Sequence, residues 1–297
     1  MTRLADLAEL VRAPAALSVP GDVLSGAAAA GALGPRTPAL AGASVLLYWA
    51  GMAANDWADR RLDAVERPER PIPSGRVRPS VALGVASGLT AAGLAVATAA
   101  GGRRAAAVAL PLAATIWGYD LRAKNTAAGP AVMAACRGLD VLLGASGGRV
   151  VRALPAALTV AAHTWTVTAL SRREVTGADR RLPGLTLAGT ALIALATPAR
   201  PTPPATGRGG SSRAARLGDL VPAVLAAGYA TRYGRAQARV LADPSPGRVR
   251  AAVGAGITGL PALQGALTAR AGARMLGLAV AGAAPLGRRL ARLISPT

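Results

Sequence analysis

The sequence is poor in the residues that build most soluble active sites. It has one cysteine, Cys136, one histidine, His163, and no phenylalanine. A single cysteine excludes a disulfide within this sequence and a cysteine-based metal site, and a single histidine excludes a histidine cluster. Zinc chemistry and Ser-His-Asp catalysis are therefore disfavoured.

Charge is also scarce. Charged residues make up 16 % of the 297 positions, hydrophobic residues make up 52 %, and the mean hydropathy is +0.37. Mostly apolar runs of about 17 to 25 residues can cross a bilayer as helices. Several of the runs in this chain are short or rich in Ala and Gly, so we predict nine or ten spans. The candidates lie near residues 14–34, 38–57, 80–100, 104–120, 127–146, 153–171, 183–198, 217–231, 251–269 and 274–291.

These runs predict an all-α fold, a polytopic transmembrane helical bundle around a central cavity. We expect residues 1–297 to form one domain. Small residues allow helices to approach closely in lipid, where no hydrophobic force drives their association. The bundle should therefore be tightly packed.

The charges that are present are mainly positive, with a formal net charge of +20. Basic patches can bind nucleic acid, but these basic residues lie in loops and do not alternate with aromatic residues on which bases stack. Nucleic-acid binding is therefore disfavoured. If the N-terminus is inside, the inner loops carry about twice as many basic residues as the outer loops, which places residues 55–76 on the cytoplasmic side of the cell membrane.

Acidic residues are few and clustered. The chain has fourteen, and five of them lie between positions 56 and 69. On a helix, Asn55, Asp56, Asp59 and Asp63 share one face, and carboxylates so close repel one another unless a cation lies among them. Mg²⁺ prefers oxygen ligands and usually takes one or two carboxylates plus substrate phosphates. We therefore predict a Mg²⁺ site; the alternative is a solvated cap on an apolar helix.

This stretch resembles the first aspartate-rich motif of the UbiA superfamily of intramembrane prenyltransferases, Asn-Asp-x-x-Asp-x-x-x-Asp. Residues 67–76 resemble the Arg-Pro-rich segment that follows the motif in that family. The resemblance implies a UbiA-like bundle, Mg²⁺, an isoprenoid diphosphate donor and a lipophilic, usually aromatic, acceptor. It also implies roles for residues that match the motif: Asp56, Asp59 and Asp63 as catalytic metal ligands, and Asn55, Arg70 and Arg76 at the substrate.

The end of the fourth predicted span carries a second resemblance. Residues 117–126 resemble the Tyr-x-x-x-x-Lys segment of UbiA proteins, which implies that Lys124 and Tyr119 contact the substrate. Lys124 is the only lysine of the chain, which favours a role for it over that of a solvated loop residue.

Two spans carry charges inside apolar sequence. Arg137 and Asp140 lie at i and i+3, and because burying either alone is costly we expect them to pair with each other or with a polar ligand. Arg137 is therefore a candidate substrate-binding residue, and residues 136–144 resemble a bacterial subgroup often called EboC-like. Asp22 in the first span is either a functional residue or a helix cap, and both readings stay open.

The sixth span ends where the superfamily carries a second acidic motif, typically Asp-x-x-x-Asp. Here Glu174 and Asp179 are five positions apart, and Ala178 occupies the place of the second acid. The resemblance implies Glu174 as a further catalytic acid and Glu174 with Asp179 as metal ligands, although Asp179 also fits a plain loop acid. The two acidic ends divide the chain into pseudo-repeat halves, roughly 14–146 and 153–291.

The predicted function is Mg²⁺-dependent prenyl transfer inside the membrane. Aromatic faces can stabilise the allylic carbocation by cation–π attraction, and the candidates are Trp49, Trp57, Tyr119 and Trp165. One alternative is a phosphatidyl-alcohol transferase, which the order of the acids disfavours. The others are a transporter, although transporters usually carry acids at mid-membrane, and a degenerate family member that binds isoprenoid lipid without turnover.

Overall fold

The computed structural model describes residues 3–197 and 220–283, and within these ranges the regular elements are helices. They are α1 (Leu4–Leu10), α2 (Pro20–Ala30), α3 (Thr37–Glu66), α4 (Pro79–Gly118), α5 (Gly129–Ala145), α6 (Val150–Ser171), α7 (Arg181–Ala196), α8 (Val221–Ala242), α9 (Pro246–Arg270) and α10 (Arg274–Ala283). A 3₁₀ helix, Ala13–Ser18, precedes α2, and a π-helical turn, Tyr119–Ala123, follows α4. The predicted all-α class is confirmed.

Helix α4 consists of two arms that reverse direction at Gly102. The backbone there is non-helical, with φ 62° and ψ −153°, a region that favours glycine. Trp117 Nε1 donates to Thr90 Oγ1 at 3.1 Å, whereas 27 residues of straight helix would separate them by about 40 Å. The arms are therefore antiparallel, in agreement with two predicted spans, 80–100 and 104–120.

The charged loops meet on one side of the bundle, which we call the mouth face. It comprises Arg12, residues 55–76, 119–128 and 172–180, and the turn 243–245. Three contacts join its parts: Lys124 with Asp59, Arg172 with the carbonyl of Thr126, and the Ala178 N–H with the carbonyl of Pro244.

The opposite ends of the helices meet at the other face. The Arg149 N–H donates to the carbonyl of Ala30 at 3.1 Å, and Arg270 donates to the carbonyl of Ala196 at 2.9 Å. The described helices thus cross back and forth between two faces, as expected for a multi-pass bundle.

Glycines bring two helix backbones into contact near the centre. A Cβ at Gly26 of α2 would lie 1.8 Å from the carbonyl oxygen of Val141 in α5, and a Cβ at Gly144 would lie 2.0 Å from that of Val23. No larger residue fits at either position without a backbone shift. This contact confirms the predicted tight packing by small residues.

The second half of the bundle has an aromatic core. His163 Nδ1 lies 2.9 Å from the hydroxyl of Tyr229, and the His163 ring contacts the edges of Tyr229 and Tyr233. All three side chains are buried. His163 is thus a core polar group and not a ligand of the site described below.

The span count stays a prediction. In the part of the chain that the structure describes, three helices are long and apolar enough to cross a membrane by length and composition, Thr37–Glu66, Pro79–Ala123 and Val150–Ser171. Helices Arg181–Ala196 and Arg274–Ala283 are apolar but shorter. Residue 198, residues 217–219 and residues 284–291 of three predicted spans lie outside the described residues.

Helix α8 is longer than the span predicted within it. The candidate span lies near residues 217–231, and α8 continues to Ala242. The helix tolerates the charges of this extension because Arg232, Arg235 and Arg239 are exposed on its outer side, while Tyr233 and Gln237 face the core.

Candidate active site

The acidic face of α3 lies at its mouth-face end. Helix α3 runs unbroken to Glu66, so the four motif residues fall on one side of it, as predicted. Asp56 and Asp63 are buried, at 4 % and 3 % exposure, and Asp59 is partly buried. Buried carboxylates of this kind require a compensating positive charge.

Each aspartate of this face has a basic partner from another segment. Arg12 Nη2 lies 3.0 Å from Asp56 Oδ1, and Lys124 Nζ lies 2.6 Å from Asp59 Oδ1. Arg70 Nη1 lies 2.7 Å from Asp63 and 3.4 Å from Asp56. Three carboxylates and three cations therefore form a charge-balanced cluster, in which the structure brings Arg70 and Lys124 together with the motif aspartates.

Arg12 is a member of the cluster that the sequence did not indicate. It lies between α1 and the 3₁₀ helix with φ 48° and ψ 50°, a left-handed conformation unusual for a residue other than glycine. Such strain persists only where surrounding contacts hold it, and it is enriched at functional sites. Arg12 is 44 positions from Asp56 and belongs to no recognisable motif, so only tertiary structure reveals the contact.

Arg76 lies apart from this cluster, contrary to the expectation. Its guanidinium contacts Asp6 at 2.9 Å and Glu9 at 2.6 Å, and it donates to the carbonyl of Glu69. The loop that carries it turns away from α3 after Ile72, which is buried, and through Gly75 at φ 76°. Arg76 therefore ties α1 to the loop in this structure.

The pKa of Asp6 reflects this tie. The Arg3 backbone N–H, followed by the Arg76 guanidinium, holds the pKa of the Asp6 carboxyl below its ordinary value. The Glu9 carboxylate, followed by the Asp6 carboxylate, raises the pKa of the Arg76 guanidinium. Both shifts favour the ion pair.

A cavity of about 110 Å³ lies among the helices next to the acidic face, and Asp120 in its wall contacts Asn55 of the motif. Its walls are mostly apolar, and its polar lining comes from a few side chains. The lining includes Ser44, Leu47, Tyr48, Met52, Leu112, Ile116, Tyr119, Asp120, Met133, Arg137 and Asp140. This cavity is built by the first half of the bundle, with Tyr119 and Arg137 in its wall, whereas the predicted central cavity was to be closed by both halves.

Asp120 links the cavity to the motif. Asn55 Nδ2 donates to Asp120 Oδ1 at 3.1 Å, and the Asp120 side chain is buried. Asp120 was not among the predicted site residues, although an acid at the end of the predicted span 104–120 is the signal that would have identified it.

Four aromatic residues were predicted to stabilise a cation. Of these four, Tyr119 lines the cavity. Trp49 packs in the cluster around Leu10, Trp57 lies under the Arg60 guanidinium at 4.7 Å, and Trp165 is 38 % exposed. Tyr48, which was not predicted, lines the cavity as well. The expectation for the tryptophans is therefore not supported by their positions.

The inner end of the cavity is a buried polar cluster. Arg137 Nε lies 2.9 Å from Asp22 Oδ2, and Gln264 donates to the other Asp22 oxygen at 2.6 Å. Ser44 Oγ lies 2.6 and 2.7 Å from the two oxygens of Asp140. The eleven residues from Ser44 to Asn55 put this cluster about 16 Å below the motif.

Two expectations change here. Among the described ion pairs, Arg137 pairs with Asp22 and not with Asp140, because α2 packs closely enough on α5 to bring Asp22 to it. Asp22 makes no side-chain cap on α2, so its role is that of a buried ion-pair partner.

The second acidic end differs from the first. Glu174 is partly buried, its backbone carbonyl accepts from Arg250 at 2.9 Å, and burial raises the pKa of its carboxyl against the opposing effects of Arg250 and Arg67. Asp179 is exposed and accepts from the Leu182 N–H at 2.9 Å, near the start of α7. Asp179 therefore supports a helix end.

The predicted metal ligands fit Mg²⁺ only in part. Asp56, Asp59 and Asp63 offer carboxylate oxygens on one helix face, which is the donor type that Mg²⁺ takes. Within residues 3–197 and 220–283, however, no three His, Cys, Asp or Glu side chains are grouped as a metal site. Asp56, Asp59 and Asp63 each face a basic side chain. Asp179 does not fit as a metal ligand, because its carboxylate accepts a hydrogen bond at the start of α7.

These features define a class: a helical membrane protein with a charge-balanced acidic and basic mouth above an apolar cavity. Comparison with known families agrees with it. The UbiA prenyltransferase family profile matches residues 21–197, more than half of the chain. The chain belongs to the UbiA prenyltransferase family.

Named relatives match over shorter stretches. The chain is 44 % identical over 80 residues to the digeranylgeranylglyceryl phosphate synthase of Methanothrix thermoacetophila, which covers 26 % of this chain and 30 % of the relative. It is 45 % identical over 85 residues to the enzyme of that name from Natronomonas pharaonis, covering 28 % and 31 %. With the bacteriochlorophyll synthase 33 kDa chain of Cereibacter sphaeroides it shares 46 % identity over 54 residues, 18 % of each chain. The matched segments thus span less than a third of these relatives.

Two solved structures share the fold. One, from work on digeranylgeranylglyceryl phosphate synthase in membranes, has a TM-score of 0.66 at 16 % identity and covers 91 % of this chain and 99 % of that one. The other, the apo structure of a UbiA homologue from Aeropyrum pernix, has a TM-score of 0.62 at 18 % identity, with coverages of 88 % and 96 %. The UbiA-like fold is confirmed.

Proposed function

We propose that this protein transfers a prenyl group from an isoprenoid diphosphate to a lipophilic acceptor within the membrane, with Mg²⁺. The observation that carries the proposal is the cluster at the mouth: three aspartates of one helix face, paired with Arg12, Arg70 and Lys124, directly above a mostly apolar cavity. Family membership supports the same reaction class.

The basic side chains of the mouth suit a diphosphate. Arginine offers forked donors to phosphate oxygens and lysine offers a compact charge. In the structure these groups are held by Asp56, Asp59 and Asp63, so a diphosphate competes with carboxylates for them. Donor binding is therefore an exchange of ion pairs, in which Arg12, Arg70 and Lys124 turn to the diphosphate.

The aspartates released by this exchange would hold Mg²⁺, with Glu174 as the candidate from the second acidic end. Bound there, Mg²⁺ would supply charge neutralisation for the diphosphate leaving group. Asp56 and Asp63 are buried, so neither is stable as an unpaired carboxylate. Each of these two aspartates would therefore need either its arginine or the bound Mg²⁺ as a positive partner.

The cavity suits the hydrocarbon part of the reaction. Its apolar wall excludes water from the allylic cation that forms when the carbon–oxygen bond breaks, and the Tyr48 and Tyr119 rings can face that cation. The acceptor's nucleophilic carbon or oxygen then attacks. We propose an aromatic acceptor because aromatic rings are electron-rich nucleophiles that an apolar cavity can hold.

We further propose that the mouth face is cytoplasmic and that the protein lies in the cell membrane. Residues 3–12, 55–78 and 119–126 bring many of the arginines and the only lysine to that face. The positive-inside rule favours this orientation. Cysteine labelling of the exposed Ala128 and Gly34 positions in right-side-out vesicles distinguishes the two faces.

The test is incubation of membranes that contain the protein with labelled prenyl diphosphates of several chain lengths and a metabolite extract, followed by mass spectrometry. We expect new lipophilic products and diphosphate release that require Mg²⁺ and disappear with EDTA. Products that form equally without the protein would contradict the proposal.

A second candidate is a family member that binds isoprenoid diphosphate without turnover. The position of Asp179 at the end of α7 favours it, because the second acidic end then contributes only Glu174. In that case the labelled donor binds and is recovered intact, with no diphosphate released.

A further inference from the structure

A groove lined by arginines runs along the outside of the second half of the bundle, between α8 and α9. It has a volume of about 650 Å³, and we call it the arginine groove. Its lining includes Gly228, Arg232, Arg235, Arg239, Arg248 and Ala255. It lies apart from the mouth cluster and shares none of its residues.

The arginines extend well below the mouth face. Arg232, Arg235 and Arg239 lie at i, i+3 and i+7 of α8 and share one face of it. Ten residues separate Arg232 from the end of α8 at Ala242, which corresponds to about 15 Å along the helix. This depth distinguishes the stripe from the ordinary positive charge of cytoplasmic loops.

Two arginines of the groove, Arg235 and Arg239, have no carboxylate partner among the described residues. Within the described ranges, Arg235 and Arg239 have no ion pair or hydrogen bond through their side chains, and Arg232 donates to Thr258 Oγ1 at 3.0 Å. Arg248 lies 3.6 Å from Asp243, with both side chains more than half exposed. The contrast with Arg70, which is bound by two aspartates, indicates that Arg235 and Arg239 serve something outside the chain.

The deep end of the groove is apolar and open. A Cβ at Gly228 would meet no atom within 4 Å, so the groove is open at this position. Val224, one turn deeper on α8, is 65 % exposed, and Ile257 on α9 is 56 % exposed. The surface therefore changes from cationic near the mouth face to apolar toward the bundle centre.

We propose that the arginine groove binds an anionic glycerophospholipid from the leaflet on the side of the mouth face. The lipid phosphate would lie against Arg235 and Arg239, and an acyl chain would lie along Gly228 toward Val224 and Ile257. Arginine binds phosphate oxygens with paired donors, and exposed arginines at this depth in a bilayer are costly unless such a partner compensates them. The order of charge and hydrocarbon in the groove matches that in the lipid.

The test uses the full chain purified in detergent and native mass spectrometry with phosphatidylglycerol or phosphatidylcholine. The groove variant is Arg235→Gln with Arg239→Gln, and the control is Arg103→Gln with Arg104→Gln, two exposed arginines on the opposite face. We expect wild type and control to bind phosphatidylglycerol in preference to phosphatidylcholine. The groove variant should bind phosphatidylglycerol at least about tenfold more weakly, because it removes two arginines that attract the anionic headgroup.

Three results would overturn the proposal. The first is unchanged phosphatidylglycerol binding by the groove variant, and the second is an equal loss in the control, which would indicate diffuse charge. The third is displacement of bound lipid by inorganic diphosphate at equal concentration, which would indicate a soluble phosphate site. Circular dichroism and size-exclusion chromatography verify that each variant is folded. If the double variant does not fold, phosphatidylglycerol binding is measured with the single variant Arg239→Gln.

Discussion

The two acidic ends of the bundle were expected to share one role, and their surroundings differ. At the end of α3, Asp56 and Asp63 are buried; Arg12, 44 positions away, holds Asp56, and Arg70 of the loop that follows α3 holds Asp63. After α6, Glu174 is partly buried and Asp179 lies in solvent at the start of α7. A carboxylate is buried only where a cation compensates it. At the first end, cationic side chains therefore hold the carboxylates in place. At the second end, the positions of the acids depend mainly on the loop that carries them.

The largest expected effect is at the first end. Asp56→Ala should lower Mg²⁺-dependent diphosphate release by about a thousandfold, since Asp56 holds two of the basic groups and is a candidate metal ligand. Release is measured with a labelled prenyl diphosphate in vesicles. Turnover within a few-fold of wild type, in protein that still inserts and folds, would remove Asp56 from the site.

Lys124→Gln should lower turnover by about a hundredfold. The only lysine of the chain lies 2.6 Å from Asp59, and its loss removes a charge from the diphosphate side and leaves that aspartate unpaired. Lys124→Arg keeps the charge and should recover part of the activity. If Gln and Arg were equally inactive, the shape of the lysine and not its charge would matter.

The deep ion pair contributes to stability more than to chemistry. Arg137→Met leaves the fully buried Asp22 without its cation and should cost about 3 kcal/mol of the free energy of unfolding. The double variant Asp22→Asn with Arg137→Met should recover most of that loss, because both charges are gone. Thermal unfolding in detergent measures the two, and an uncorrected loss in the double variant would contradict the pairing.

A smaller effect is expected at the second end. Glu174→Gln should lower turnover by at most about tenfold, since its carboxyl is only partly buried and, among the described residues, no hydrogen bond fixes it toward α3. The measurement is the Mg²⁺ dependence of turnover, in which a weaker apparent affinity for Mg²⁺ would place Glu174 on the metal. A loss as large as that of Asp56→Ala would mean that the two ends are equivalent.

The smallest effect concerns the tie of α1 by Arg76. Arg76→Gln should increase hydrogen exchange of α1 and alter donor affinity less than Arg70→Gln does, because Arg76 contacts Asp6 and Glu9 instead of the α3 aspartates. The pKa of Asp6 is lowered in the folded protein, so this tie is present above the ordinary carboxyl pKa and is lost as pH falls through the lowered value. Equal effects of the two arginine variants on donor affinity would show that Arg76 reaches the diphosphate.

The sequence predicts the local features of this molecule well. The apolar runs anticipated the helices, and the spacing of the motif anticipated the shared face of α3, because both depend on residues close in the chain. A family motif marks Lys124, and the structure brings this residue to the motif aspartate Asp59.

Contacts between distant segments were not predictable. Arg12 reaches Asp56 across 44 positions, and Arg137 finds Asp22 instead of its neighbour Asp140 because Gly26 and Gly144 bring α2 and α5 together. Arg76 was misplaced for the same reason, since its partners lie on α1. Helix α8 continues past the predicted span 217–231 because exposed arginines do not stop a helix whose other face is packed.

The most direct test compares Asp59→Asn with Asp179→Asn, two isosteric changes that each remove one acid, in a single-turnover assay of diphosphate release at saturating Mg²⁺. We predict a loss of at least about a hundredfold for Asp59→Asn and a change of less than about threefold for Asp179→Asn. Comparable losses in both variants, or a larger loss for Asp179→Asn, would contradict the assignment of the donor site to the first acidic end.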